Sequence, residues 1–159
     1  MTVASGPEAA YRRYITDYPR ALWRHFDRGE DIDYAQLDFW RFPLLFVTDA
    51  DPGVSIAVVD RDLFDRQVRS RYETYITAGW AGGIQVDRVD VREVTQFLAL
   101  VETEGTRFHR DGGVLNTWRA CYWMRHTAVG WRHVAVTDTT PPRPNRDDWT
   151  RWLNGLLSS

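Results

Sequence analysis

Four side chains near the end of the chain, Thr103, Arg107, Tyr122 and His133, are of types that move protons or hold charge, and strand periodicity puts them on one surface. An imidazole in a partly apolar setting titrates close to neutrality, which suits His133 to general acid or base work. The Tyr122 hydroxyl can donate to a developing enolate or carbonyl oxygen. Arg107 can hold an anionic group of a substrate. His133, Tyr122 and Arg107 each have a purely structural alternative: a core histidine satisfied by one hydrogen bond, an ordinary sheet tyrosine, an arginine in a salt bridge at a hairpin rim.

The elements that must position them can be read almost residue by residue. Glycine-containing turn signals, Asp111-Gly112-Gly113 and Ala128-Val129-Gly130, separate three strand-like runs between Phe97 and Asp138, which gives an antiparallel meander. Closing both turns tightly sets Val101 opposite Tyr122 and Met124 opposite His133. One face then collects Phe97, Ala99, Val101, Thr103, Trp118, Ala120, Tyr122, Met124, Trp131, His133 and Ala135; the other collects Glu102, Glu104, Arg119, Arg125 and Arg132. The first face suits a pocket lining and the second a solvated ladder of opposite charges. Trp118, Trp80, Tyr14 and Tyr18 would supply aromatic walls, with Thr103, Arg107 and Met124 as further substrate contacts, although aromatics at such spacings also build ordinary cores.

Upstream, apolar residues at Tyr11, Tyr14, Ile15, Tyr18, Leu22 and Phe26 predict a helix over 7–27, broken or kinked near Asp17 by Pro19 and ended by Gly29. A short helical segment is expected at 31–37. The run 38–50 is strand-like, with Pro43 restricted to an edge or a bulge. A second short strand, VSIAVV, follows the Asp51-Pro52-Gly53 turn. Asp60 or Asp62 can cap a helix whose stripe is Leu63, Phe64, Val68, Tyr72, Tyr75 and Ile76, with Gly79 as its stop. The next strand loses its alternation near Arg88, which predicts a bulge. Residues 1–140 thus form one domain of α+β class. A proline-rich linker and a short helix with Trp149, Trp152, Leu153 and Leu156 occupy 141–159.

Composition narrows the function. The net charge is -2 and no long basic run occurs, so nucleic acid is not expected as the partner. All 20 basic side chains are arginine, and without lysine neither Schiff-base catalysis nor a phosphate-loop lysine is available. The single cysteine, Cys121, cannot form an internal disulfide or a cysteine-built metal site. No two histidines share ligand spacing on one element, and no dinucleotide or phosphate loop is present, so neither a metal nor a cofactor is expected. No apolar run reaches the roughly 18 residues of a membrane span and no signal-peptide pattern opens the chain, so a cytoplasmic protein away from membranes is expected.

The order of elements, together with Gly29-Glu30-Asp31, Phe42-Pro43, Gly79-Trp80, Arg110-Asp111-Gly112 and Gly130-Trp131-Arg132, resembles the nuclear transport factor 2-like superfamily in its SnoaL-like branch over residues 8–138. The resemblance implies a cone-shaped domain with helices on a strongly curved mixed or antiparallel sheet, a pocket between them, and a homodimer formed through the sheet. Ketosteroid isomerases of that superfamily carry an Asp-Pro where this chain has Phe42-Pro43, an Asp where it has Tyr122, and a helix-one tyrosine where it has Leu22. A cyclase-type histidine on the fourth strand would have to be His109. The resemblance implies a cofactor-independent enzyme that cyclises, isomerises or dehydrates an apolar, polyketide-like substrate, and the shared face of His133 and Tyr122 makes these two the expected catalytic residues, although the superfamily usually has an apolar residue at the His133 position. The missing carboxylates leave a second reading open, a non-catalytic module that binds a small apolar ligand or only dimerises. Recognition of a protein partner through the charged sheet face is a third.

Overall fold

The computed structural model describes residues 6–50 and 53–138. The first helix, α1 (Pro7–Arg28), begins with a proline where a missing N–H costs nothing, and it ends at Gly29, whose φ of 69° is the left-handed conformation that glycine adopts without penalty. It does not break at Asp17. An interior proline costs about 3 kcal/mol, but Tyr11, Tyr14, Tyr18, Pro19 and Leu22 are all buried on one face. At about 1.5–3 kcal/mol for each large apolar side chain, that burial outweighs the lost hydrogen bond. Residues 34–37 form turns rather than a helix. The Asp33 carboxylate accepts from the Ala35 and Gln36 N–H groups, at 3.1 and 3.4 Å, and so competes with helical hydrogen bonding.

Strands β1 (Trp40–Ala50) and β2 (Gly53–Val59) form a hairpin, and α2 (Arg61–Thr77) follows, capped by the Asp60 carboxylate accepting from the Leu63 N–H at 2.8 Å. The long strands β3 (Trp80–Thr95), β4 (Leu98–His109), β5 (Val114–Thr127) and β6 (Gly130–Asp138) complete the chain. Their order in the single sheet is β2-β1-β6-β5-β4-β3. The β1–β6 pair is parallel and every other pair is antiparallel, so the sheet is mixed and open. β1 lies inside the sheet, and Pro43 is accommodated where its register with β6 shifts between Trp40 and Leu45. A second shift, between Val86 and Arg88 on β3, is the bulge expected there.

The meander register matches expectation: Val101 faces Tyr122 and Met124 faces His133. A bulge beside Met124 then changes the parity of β6. Ala135 pairs with Trp123 and Val136 with Tyr122, so Val136, not Ala135, joins the helix-facing side. Phe97 belongs to the β3–β4 turn and is 55% exposed, not part of that face. Both helices cover the face, α1 over β3, β4 and β6 and α2 over β1 and β3. The opposite face carries the charge ladder, with Arg119 Nε 3.1 Å from Glu104 and Arg88 paired to Asp90 and Glu104. Among the described residues no helix is long and apolar enough to cross a membrane. The linker and helix expected at 141–159 lie outside the described residues.

Candidate functional site

A cavity of about 80 Å³ opens between the two helices and the middle of the sheet. Tyr14, Ile15 and Tyr18 of α1 form one wall, and Phe64, Val68, Arg71, Tyr72 and Tyr75 of α2 another. Trp40 and Phe46 come from β1, Arg107 from β4, Trp118, Arg119, Ala120 and Tyr122 from β5, and Val136 from β6. Glycine makes room for part of this lining. A Cβ on Gly105 would stand 2.5 Å from the Trp118 ring and 2.8 Å from the Gln85 carbonyl, so its absence lets the indole lie flat against β4.

Arg107 is the chemically distinctive wall. It is only 9% exposed, yet no carboxylate pairs with it among the described residues. Its Nη1 donates to Asn116 Oδ1 at 3.2 Å, its guanidinium donates to the Tyr72 hydroxyl, and it stacks 4.7 Å from the Tyr75 ring and 5.7 Å from that of Trp118. Burial works against its charge, while Tyr75 and Tyr72 offset that penalty and leave the net shift upward. Its Nε has no hydrogen-bond partner among the described residues, and neither have the indole nitrogens of Trp40 and Trp118. All three are donors on lining residues. No Asp, Glu or His lies among the cavity-lining residues described. Burial also raises Tyr14, Tyr18 and Tyr72 above the ordinary tyrosine range, so their hydroxyls stay protonated.

The residues singled out from the sequence divide into two groups. Tyr14, Tyr18, Arg107, Trp118 and Tyr122 line the cavity; His133, Thr103, Trp80 and Met124 do not. His133 is fully buried behind the wall, with ring centroids of Tyr14, Trp40 and Tyr122 at 4.5, 4.7 and 5.0 Å. Neither ring nitrogen has a partner among the described residues, so the expected single hydrogen bond is absent as well. Burial first, and the Arg132 charge second, lower its pKa to about 3, so it is a neutral imidazole at physiological pH. Thr103 accepts from the Tyr11 hydroxyl at 2.8 Å and donates to the Arg88 carbonyl at 3.1 Å, which ties α1 to the β3 bulge. Trp80 is sealed, with its Nε1 donating to the Gly83 carbonyl at 2.8 Å, and Met124 is buried. The α2 wall was visible in the sequence only as a helix stripe; its role as one side of the cavity comes from the packing of α2 across β1 and β3.

Residues 8–141 match the family described as NTF2-like protein (DUF6841). The chain belongs to that family. Solved structures with the same fold include an NTF2-like protein of unknown function from Shewanella oneidensis MR-1, 10% identical, covering 83% of this chain and 98% of that one with a TM-score of 0.53. A protein of unknown function from Mycobacterium tuberculosis, 12% identical, covers 95% and 84% with a TM-score of 0.53. A ketosteroid isomerase-like protein from Erwinia carotovora atroseptica is 17% identical over 84% of this chain and 94% of that one, with a TM-score of 0.48. At these identities the likeness to the Shewanella and Mycobacterium proteins is one of fold alone. No curated protein matches this NTF2-like chain significantly.

Proposed function

We propose that this NTF2-like protein binds a small molecule in the cavity between its helices and its sheet, as a binding module and not as an acid-base catalyst. The observation that carries this reading is a small, mostly aromatic cavity whose described lining offers unpaired donors at Trp40, Arg107 and Trp118 but no carboxylate or imidazole to take up a proton. A volume of about 80 Å³ falls well below the roughly 300 Å³ lower end of usual ligand pockets, which argues against a polycyclic, polyketide-like substrate lying wholly inside. The bound molecule, or the part of it that enters, is compact.

The test is ligand-observed NMR with single-ring and short-chain probes on the wild type and on Ala120→Phe, which fills the cavity from β5. Binding that the substitution abolishes, with circular dichroism unchanged, is the expected outcome. Binding that survives it would put the ligand elsewhere, and the reading would fail.

A SnoaL-like acid-base enzyme is the second reading, favoured by Tyr122, which lines the cavity and stands 5.0 Å from His133 between ring centroids. It requires His133 to meet the substrate past Tyr14 and Trp40. Turnover of any substrate that is lost in both His133→Leu and Tyr122→Phe would revive it. Pairing of two copies through the charged outer face, where Arg88, Glu104 and Arg119 are arranged, is a further proposal that sedimentation at two protein concentrations decides.

A further inference from the structure

Resting on the binding reading above, we infer that the ligand is a small carboxylic acid whose carboxylate seats on Arg107 while its compact apolar body fills the aromatic end of the cavity. A buried guanidinium is costly to hold unless an anion or a full set of acceptors answers it. Among the described residues Arg107 has only two neutral acceptors, Asn116 Oδ1 and the Tyr72 hydroxyl, and its Nε is left open. Tyr14 and Tyr72 do not become the missing counter-ion, because burial keeps their hydroxyls protonated. No described residue supplies the anion, so a ligand's anionic group answers the charge.

The geometry favours a carboxylate. Arginine presents a planar fork that matches two carboxylate oxygens, and the open indole N–H groups of Trp40 and Trp118 can only donate. Arg71 also lines the cavity, whereas the Arg119 side chain turns to the opposite face, where its Nε is engaged by Glu104 at 3.1 Å. With one buried and unanswered cation among rings, a monoanion with an apolar body fits better than a dianion, whose second charge would be desolvated among aromatic side chains. The size follows from the volume. About 80 Å³ is roughly half of the 150 Å³ cavity that takes up benzene, so the enclosed part is smaller than a whole ring and a ring-sized body would reach out through the cavity's opening.

The experiment compares acids with their own uncharged isosteres. Dissociation constants of isobutyrate and benzoate, each beside its primary amide, are measured by NMR titration near neutral pH on the full chain, on Arg107→Met and on Arg107→Gln. For the wild type we expect each acid to bind at least about tenfold more tightly than its amide, a factor set by one charge-assisted pair. Both variants should bring acid and amide to parity while still binding the amide. If the wild type binds the amides as well as the acids, the carboxylate assignment is wrong although the cavity still binds. If neither acid nor amide binds, the binding reading and this inference fall together. Acid preference retained in a folded Arg107 variant would place the anion on another group and overturn the assignment. The wild-type comparison decides the matter even if neither variant folds.

Discussion

Arg107 and His133 stand on the same face of the same sheet, and both are buried polar groups, yet they have opposite surroundings. Arg107, at the β4–β5 end, opens onto a cavity and keeps its charge with neutral partners around it. His133, on β6, is packed among Tyr11, Tyr14, Trp40 and Tyr122 and loses its charge. Strand register decides which side chains share a face; how closely the helices lie over that face decides which of them meet a ligand. The difference also follows side-chain chemistry, since an imidazole can shed its proton to lie in an apolar core and a guanidinium cannot.

The sharpest way to break this comparison is through pH. The folded-state pKa of His133, about 3, lies below the ordinary 6.5, so between those values the unfolded chain binds a proton that the folded chain refuses. Its contribution is complete above pH 6.5 and is lost as the pH falls toward 3, and at about 1.4 kcal/mol per pH unit the whole window is worth on the order of 5 kcal/mol. Urea denaturation should show His133→Leu close to wild type at pH 7 and clearly more stable than wild type near pH 4. Parallel losses in both proteins would mean that His133 is not held neutral.

A smaller effect is expected where the cavity wall depends on a missing side chain. Gly105→Ala drives a methyl into the Trp118 ring and the Gln85 carbonyl, and overpacking of this kind costs about 1–3 kcal/mol. The near-ultraviolet circular dichroism should change with it, because Trp118 must move. Unchanged stability and spectrum would show that the indole does not lie on β4.

Next comes the sealed end. Tyr11→Phe deletes the hydroxyl that donates to Thr103 and should cost about 1 kcal/mol, whereas Thr103→Val strands that hydroxyl and should cost about 1–3 kcal/mol. Denaturant midpoints of both variants and of the double variant measure the coupling; additive losses would contradict the bond. The smallest effect belongs to the outer face. Glu104→Gln removes the carboxylate shared by Arg88 and Arg119, both solvent-accessible, and should shift the denaturant midpoint only slightly, less in high salt.

Much of this was legible in the sequence, and the reasons are local. Two glycine turns and strict alternation determine the pairing of β4, β5 and most of β6, which is why Val101, Tyr122, Met124 and His133 have the partners their spacing predicts. The bulge that exchanges Ala135 for Val136 leaves no mark in the alternation, since both residues are small and apolar. The continuous α1 was obscured by Pro19, whose local cost is visible in sequence while the tertiary burial that outweighs it is not. For the site, five of the nine predicted residues line the cavity, because face membership follows from register. Thr103, Met124 and His133 fall outside it because depth beneath the helices and the hydrogen bonds of Thr103 to Tyr11 and Arg88 depend on contacts far apart in the chain, while the Trp80 indole is held locally by the Gly83 carbonyl. Arg107 was read correctly as facing inward, but the lack of a carboxylate beside it among the described residues could be seen only once the fold brought Tyr72, Tyr75 and Asn116 around it.

The central claim, that ligand enters the Arg107 cavity and leaves the His133 core untouched, is tested most directly by mapping side-chain nitrogen resonances during a titration with benzoate. The indole Nε1 signals of Trp40 and Trp118 and the Nε signal of Arg107 should shift with a common dissociation constant, while the Trp80 indole, bonded to the Gly83 carbonyl, and the His133 ring should not. Shifts confined to the outer face, or a saturating response at His133 without one at Arg107, would contradict it.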